Sequence, residues 1–166
     1  MAGMAAAPRG TDGNAVGVAY KSDLLTIRGT SDVLVNSSNE KKGVRDGLVT
    51  AGARSNIKVI SMSIGDIFYS GTVADGVYYA YNRGKLIMAA AGTSFSVTSW
   101  FGVVFPATMS QTVAVTGVKD GSTLSRCSNC HSGSQVDFVL SMEKSNGGST
   151  PITLSSFAKA PAILDK

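Results

Sequence analysis

The sequence has little charge and few of the residue types that usually build metal and redox sites. Charged residues make up 16% of the 166 positions, and there are only two cysteines, one histidine and one tryptophan. The low charge, together with 43% hydrophobic residues, excludes an intrinsically disordered chain and allows a sizeable buried core. The length suits one domain, and we expect residues 1–166 to form a single domain.

Clustered basic charge and long apolar runs are also missing. The net charge is +4, from 15 basic and 11 acidic residues, and Lys41 and Lys42 are the only adjacent basic pair. Scattered charge does not form the basic stripe that binds nucleic acid, so we expect no nucleic-acid partner. No apolar run approaches the roughly 20 residues that cross a bilayer, and the first residues lack the basic region of a signal peptide. We therefore expect no membrane partner.

Strand-like and helix-like segments alternate along the chain. Helices are predicted at residues 40–54 and 70–82, and strands at residues 16–27, 57–64, 86–91, 113–118 and 136–140. The strand at residues 86–91 is apolar throughout, which is typical of a strand buried on both faces of a parallel sheet. This alternation predicts an α/β fold with three layers and a mostly parallel, doubly wound sheet.

Helical spacing predicts which side chains reach the core. Seven residues form the predicted apolar faces of the two helices: Val44, Leu48, Ala51, Val73, Val77, Ala80 and Tyr81. Gly84 is predicted to end the second helix. Aromatic side chains are expected to pack in or over the core, namely Phe68, Tyr69, Tyr78, Tyr79, Tyr81, Trp100 and Phe101.

Six short motifs follow one another along the chain in a particular order. They are Met-Ala-Gly-Met-Ala-Ala at residues 1–6, Gly-Val-Ala at 17–19, Ile-Ser-Met-Ser-Ile-Gly at 60–65, Ala-Ala-Ala-Gly-Thr at 89–93, Phe-Pro-Ala at 105–107 with Val-Ala-Val at 113–115, and Val-Asp-Phe at 136–138. In this order and spacing, over about residues 1–140, the chain resembles the subtilisin-like serine proteases. The resemblance implies a subtilisin-like fold, here incomplete, and serine endopeptidase activity.

The catalytic groups of that family are an aspartate, a histidine and a serine, in that chain order. The resemblance places the aspartate and the histidine before the first residue, and the family's Gly-Thr-Ser-Met-Ala nucleophile motif does not occur in the sequence. The only histidine, His131, matches neither position. We therefore expect a portion of an endopeptidase that is inactive on its own. The alternative is a non-catalytic subtilisin-like module that binds peptides or serves as a scaffold.

The resemblance also implies a substrate-binding site at the ends of two strands. Two walls of the primary specificity pocket are implied, one formed by Ser63, Ile64 and Gly65 and the other by Ala90, Ala91 and Gly92. The first wall would pair with the substrate backbone as an added strand. The small residues of the second wall favour a large apolar side chain at the cleavage position.

Thr93 stands at the implied oxyanion site, where the family has an asparagine whose amide donates to the developing oxyanion. Loss of such a donor costs about 2.7–4 kcal/mol of transition-state stabilisation. The threonine side chain has a single hydroxyl donor and is shorter than that of asparagine. The open alternatives are a slow parent enzyme, help from a neighbour such as Ser94, or a pseudo-enzyme.

No cofactor is expected to be required. Calcium is implied only by the resemblance, because the carboxylates near loops do not cluster in the sequence (Asp12, Asp66, Asp120 and Asp137). The expected partners are a peptide or protein substrate, together with missing pieces of the same domain or a second copy. Missing pieces or a second copy are expected because the family has a strand between those at residues 24–28 and 57–64, and the resemblance finds no segment for it in this sequence. The family also implies a secreted protein.

Residues 127–131 spell Cys-Ser-Asn-Cys-His, the attachment signature of c-type haem. No helix follows, and the motif falls in a polar loop between two predicted strands. This context favours a disulfide or a free thiol pair in a surface turn over haem. Zinc needs more ligands than two cysteines and one histidine supply.

Overall fold

The structure is a computed structural model that describes residues 5–6, 9, 17–32, 34–93, 102–120 and 125–143. The chain divides into two compact units, one formed by Met1–Ile27 with Gly148–Lys166 and the other by Arg28–Gly147. In the described part of the first unit, residues 18–21 form a turn, and the Ala19 amide donates to the Ala5 carbonyl oxygen over 2.8 Å. All helices and strands named below belong to the second unit.

The second unit contains a four-stranded parallel sheet. Its strands are β1 (Val59–Met62), β2 (Leu86–Ala90), β3 (Val113–Lys119) and β4 (Phe138–Glu143), and they lie in the order β1-β2-β3-β4. Two helices, α1 (Ser38–Ala53) and α2 (Gly71–Tyr81), come before and after β1. The parallel α/β fold predicted from the alternation of segments is confirmed.

One face of the sheet packs against both helices. Its central residues are Met62, Ile87, Ala89 and Ala114, and they share a core with Val44 and Leu48 of α1 and with Val73, Val77 and Ala80 of α2. Ile87 is 1% exposed and Ala114 is fully buried. The predicted helix faces are therefore confirmed except at Tyr81, which is exposed.

The opposite face of the sheet is much more open among the described residues. Val59 and Leu86 are paired across β1 and β2, and they are 55% and 49% exposed. The prediction that residues 86–91 are buried on both faces is therefore wrong at Leu86. In β4, Phe138 is 60% exposed. The expectation that missing pieces of the domain or a second copy complete this chain stays a prediction.

Helix ends are held by specific hydrogen bonds. Ser37 caps α1 through a capping box, in which its hydroxyl accepts from the Glu40 amide over 3.2 Å and its own amide donates to the Glu40 carboxylate. At the other end of α1, the buried Lys85 ammonium donates to the carbonyl oxygens of Arg54 (2.6 Å) and Ile57 (2.7 Å). Gly84, with φ of 71°, ends α2 as predicted.

Two expectations about apolar residues are wrong. Residues 17–32 contain no strand, because their apolar cluster at residues 24–27 has no paired strand among the described residues. Core packing is also wrong for four aromatic residues, which are exposed: Phe68, Tyr69, Tyr78 and Tyr81. Trp100 and Phe101 lie outside the described residues.

The outer strand β4 begins two residues later than the strand predicted at 136–140. In the described part of the chain, no helix has the length and apolar character needed to cross a membrane.

Candidate functional site

The two predicted walls lie side by side at one edge of the sheet. Residues 63–65 follow β1 directly, and residues 91–93 follow β2. Since β1 and β2 are parallel neighbours, their carboxyl ends meet at the same edge, which is where α/β folds usually bind ligands. Residues 63–65, Ala90 and Gly92 are half-buried, Ala91 is buried and Thr93 is exposed.

Val104 lies between the two walls and touches both. A Cβ atom placed on Gly65 would lie 2.8 Å from Val104 Cγ2, and one placed on Gly92 would lie 3.0 Å from Val104 Cγ1. The Val104 amide donates to the Ala91 carbonyl oxygen over 2.9 Å, which fixes the backbone beside the second wall. A substituent at either glycine would collide with this side chain, so both walls depend on glycine for the close approach.

Asp66 shapes the turn that follows the first wall. Its backbone exchanges two hydrogen bonds of 2.9 Å with Phe105, and its carboxylate accepts from the Phe68 amide over 3.1 Å. The same buried carboxylate lies 3.3 Å from the Lys41 ammonium. These contacts give Asp66 a structural role. The cavity beside it has a volume of about 10 Å³, which holds at most one water molecule.

The Cys-Ser-Asn-Cys-His segment packs against the second wall. Cys127 and Cys130 form a disulfide, and both are buried. Of the two alternatives left open by the sequence, the disulfide is therefore the one that the structure shows. Ser128 and Asn129 form an exposed turn, as predicted, while the two cysteines beneath it are buried. Cys130 pairs with Thr93 in an antiparallel bridge, and the His131 amide donates to the Gly92 carbonyl oxygen over 2.9 Å.

The buried imidazole of His131 lies directly on Gly92. A Cβ atom at Gly92 would be 2.8 Å from His131 Nδ1, and Nδ1 lies 2.7 Å from the Gly102 carbonyl oxygen. Sequence reasoning did not assign His131 or Val104 to the site. The signal that was available is the Cys-x-x-Cys-His motif itself, but its contact with Gly92 depends on tertiary structure.

The far side of the disulfide loop is held by Glu143 at the end of β4. Its carboxylate accepts from the Ser128 amide and, over 2.8 Å, from the Ser128 hydroxyl. These hydrogen bonds, together with the Lys119 ammonium at 3.5 Å, lower the pKa of Glu143 below its ordinary value. The disulfide loop is thus joined both to residues 92–93 and to β4.

Asp137 has a structural role. Its carboxylate accepts from the Ala114 amide over 2.8 Å, and its own amide donates to the Ala114 carbonyl oxygen over 3.0 Å. Among the described residues, no group of three or more His, Cys, Asp or Glu side chains is placed to hold a metal ion. Asp12 and Ser94 lie outside the described residues.

Comparisons with known proteins agree with this fold. The Subtilase family (Peptidase S8) matches residues 1–159. The chain is 31% identical over 139 residues to the thermophilic serine proteinase of Bacillus sp. (strain AK1). The aligned region covers 84% of this chain and 32% of the relative. It is 33% identical over 137 residues to thermitase of Thermoactinomyces vulgaris, covering 82% of this chain and 45% of the relative.

Solved structures show the same fold. S41 psychrophilic protease superposes with a TM-score of 0.63 at 24% identity, covering 98% of this chain and 60% of that structure. A protease from Pseudoalteromonas arctica gives a TM-score of 0.67 at 20% identity, covering 97% and 55%. The family match and the two curated relatives define the chain as a relative of the serine peptidases. It belongs to the subtilase family, and it spans less than half the length of the two curated relatives named above.

Proposed function

We propose that this chain carries the peptide-binding walls of a subtilisin-like serine endopeptidase. Residues 63–65 form one wall, residues 90–92 form the other, and Thr93 stands at the oxyanion site. The observation that carries the proposal is the convergence of Gly65 and Gly92 on Val104 at the carboxyl edge of the sheet. We call the space between the two walls the slot. Glycine has no Cβ atom, so at Gly65 and Gly92 the backbone of a peptide can approach the backbone of the chain closely.

A peptide would bind by adding a strand to the first wall. The Gly65 carbonyl oxygen already accepts from the Val35 amide over 3.0 Å, and Leu34 pairs with Gly65 in a parallel bridge. We therefore place the incoming backbone against Ser63, at the start of this wall, rather than against Gly65.

The Val104 side chain limits the size of the residue at the cleavage position. Its two methyl groups lie against both walls, so the slot between them is already partly filled. This geometry favours a small side chain, such as alanine, over the large apolar side chain expected from the sequence. One methylene group in an apolar pocket changes discrimination by about 1–3 kcal/mol, so this single valine can decide the preference.

Catalysis in this family requires an aspartate, a histidine and a serine. No segment of the 166 residues matches the family motifs that carry these three groups. We therefore propose that the chain binds peptides without hydrolysing them by itself. A serine-reactive fluorophosphonate should leave the purified chain unlabelled. Stable labelling of any serine would show that a nucleophile is present after all.

The alternative function is a non-catalytic peptide-binding or scaffold module. The observation that favours it is Thr93, which replaces the family's asparagine and is held in a backbone bridge with Cys130. The two functions differ in what Thr93→Asn does in a longer, active form of the protein. For an endopeptidase the substitution raises turnover more than it changes the Michaelis constant, because an oxyanion donor acts mainly in the transition state.

Peptide binding is tested with three fluorescein-labelled hexapeptides that differ only in having alanine, leucine or phenylalanine at the fourth position. Fluorescence anisotropy should show the alanine peptide binding most tightly to the wild-type chain. In Val104→Gly the leucine and phenylalanine peptides should gain about tenfold in affinity. Val103→Ala is the matched control, because Val103 packs against the core instead of the two glycines. Absence of binding for all three peptides would overturn the proposed function.

A further inference from the structure

The Cys-Ser-Asn-Cys-His motif is not used by the chemistry proposed above, yet it contacts the second wall and Thr93 directly. His131 makes three contacts that join separate parts of the site. Its amide donates to the Gly92 carbonyl oxygen, its carbonyl oxygen accepts from the Thr116 hydroxyl over 2.7 Å, and its Nδ1 atom lies 2.7 Å from the Gly102 carbonyl oxygen. One residue thus connects the end of β2, strand β3 and the segment that leads to Val104.

We propose that His131 is a positioning residue for the peptide-binding slot and that the Cys127–Cys130 disulfide holds it in place. The proposal rests on the proposed function, because it names what keeps the second wall in its binding position. It assigns a role to a motif that in the sequence alone resembles a haem attachment site.

The chemistry of the imidazole is essential to this role. A carbonyl oxygen only accepts hydrogen bonds, so Nδ1 of His131 carries the proton and donates to Gly102. The side chain is buried, and loss of this donor would leave the Gly102 carbonyl oxygen without this partner. The ring also packs at Gly92, where a Cβ atom would lie 2.8 Å from His131 Nδ1 and 3.0 Å from Val104 Cγ1. Two side chains therefore contact Gly92.

The disulfide restrains the residues immediately before His131. Cys130 is fully buried, its amide donates to the Cys127 carbonyl oxygen over 3.2 Å, and it pairs with Thr93. On the other side of the loop, the Cys127 amide donates to the Gly117 carbonyl oxygen over 3.4 Å. A covalent loop of four residues thus lies between β3 and the second wall, and His131 extends from its end.

Two substitutions separate a positioning role from simple packing. His131→Asn retains a side-chain N–H near the position of Nδ1, whereas His131→Leu fills similar space without a donor. In the 166-residue chain we expect His131→Asn to retain amide-exchange protection at Val104, whose amide donates to Ala91, and to bind the alanine hexapeptide nearly as wild type does. We expect His131→Leu to lose that protection and about tenfold in peptide affinity. The amides of Val77 and Ile87 serve as the control for the core.

Equal behaviour of the two variants, whether both keep or both lose the protection of Val104, would overturn the proposal. If His131→Leu does not fold, the tautomer in the wild-type chain decides, and nitrogen NMR that shows an unprotonated Nδ1 at neutral pH contradicts it. A wild-type chain that binds none of the hexapeptides removes the proposed function. The amide-exchange comparison then still decides whether His131 holds the wall.

Discussion

The two faces of the sheet differ in how completely they are covered. On the face that shares its core with both helices, Ile87 is 1% exposed and Ala114 is fully buried. On the other face, Val59 and Leu86 keep about half of their surface exposed. Both faces present apolar side chains from the same strands, so the difference arises from the helices and not from the strand sequence. Burial of apolar area contributes about 25 cal/mol per Å², and the covered face therefore supplies most of the hydrophobic stabilisation.

The largest test of this comparison uses two adjacent residues of β2. Ile87→Ala should reduce the free energy of unfolding by about 2–5 kcal/mol, because it leaves a cavity under both helices. Leu86→Ala, on the open face, should cost well under half of that. Urea unfolding followed by circular dichroism measures both values. Equal losses at the two positions would mean that the open face is covered in solution.

The next largest loss of stability is expected when the disulfide is removed. The disulfide loop lies next to β3 and β4, which the helices cover less than they cover β2. Closing a loop of this length stabilises a protein by about 2 kcal/mol through the entropy of the unfolded chain. Replacing both Cys127 and Cys130 by serine should lower the unfolding free energy by about that amount. Guanidinium unfolding without reductant measures it. Ser128→Ala is the matched control, since it changes the same loop but keeps the disulfide, and it should lose much less.

A smaller effect is expected at the start of α1, on the covered side. Ser37→Ala removes the hydroxyl that accepts from the Glu40 amide and should cost about 1 kcal/mol. Ser38→Ala, one residue along the helix, is the control and should be nearly neutral. Thermal unfolding that shows no difference between the two variants would mean that this helix end contributes little to stability.

The smallest effect concerns pH and the edge strand. The pKa of Glu143 is lowered in the folded chain, mainly by the hydrogen bonds from Ser128, so the folded state favours the ionised carboxylate. Its contribution to stability is present above the ordinary glutamate pKa of about 4.3 and is lost as pH falls through the lower folded value. Glu143→Gln should therefore flatten the pH dependence of stability in that acid range. Unfolding curves collected from neutral to acid pH check this, and an unchanged slope in the variant would contradict it.

Most of the fold was predictable because local patterns and long-range packing agree there. Val44, Leu48, Val73 and Val77 are spaced for helix faces, and each of them is buried. The apolar cluster at residues 24–27 has a strand-like composition, but a strand also requires a paired neighbour, which composition does not specify. The outer strand was placed too early, because Asp137 binds Ala114 through its carboxylate before regular strand geometry begins at Phe138.

The candidate site was predictable only in part. The two walls could be placed because each follows an apolar strand, and parallel strands bring their ends together. The contents of the slot could not be placed, because Val104 and His131 reach Gly92 from distant loops. The small residues of the second wall suggested open space, which the neighbouring side chain of Val104 partly fills.

The reactivity of the Lys85 ammonium group can be used to measure how often the folded chain opens locally. In the native state its nitrogen is bound to the carbonyl oxygens of Arg54 and Ile57 and is screened from solvent. An amine-reactive reagent such as acetic anhydride therefore acylates exposed lysines, including Lys42, before it reaches Lys85. Mass spectrometry of a briefly treated sample would then report, from the acylated fraction at this one position, how many molecules have opened at the junction between α1 and β2.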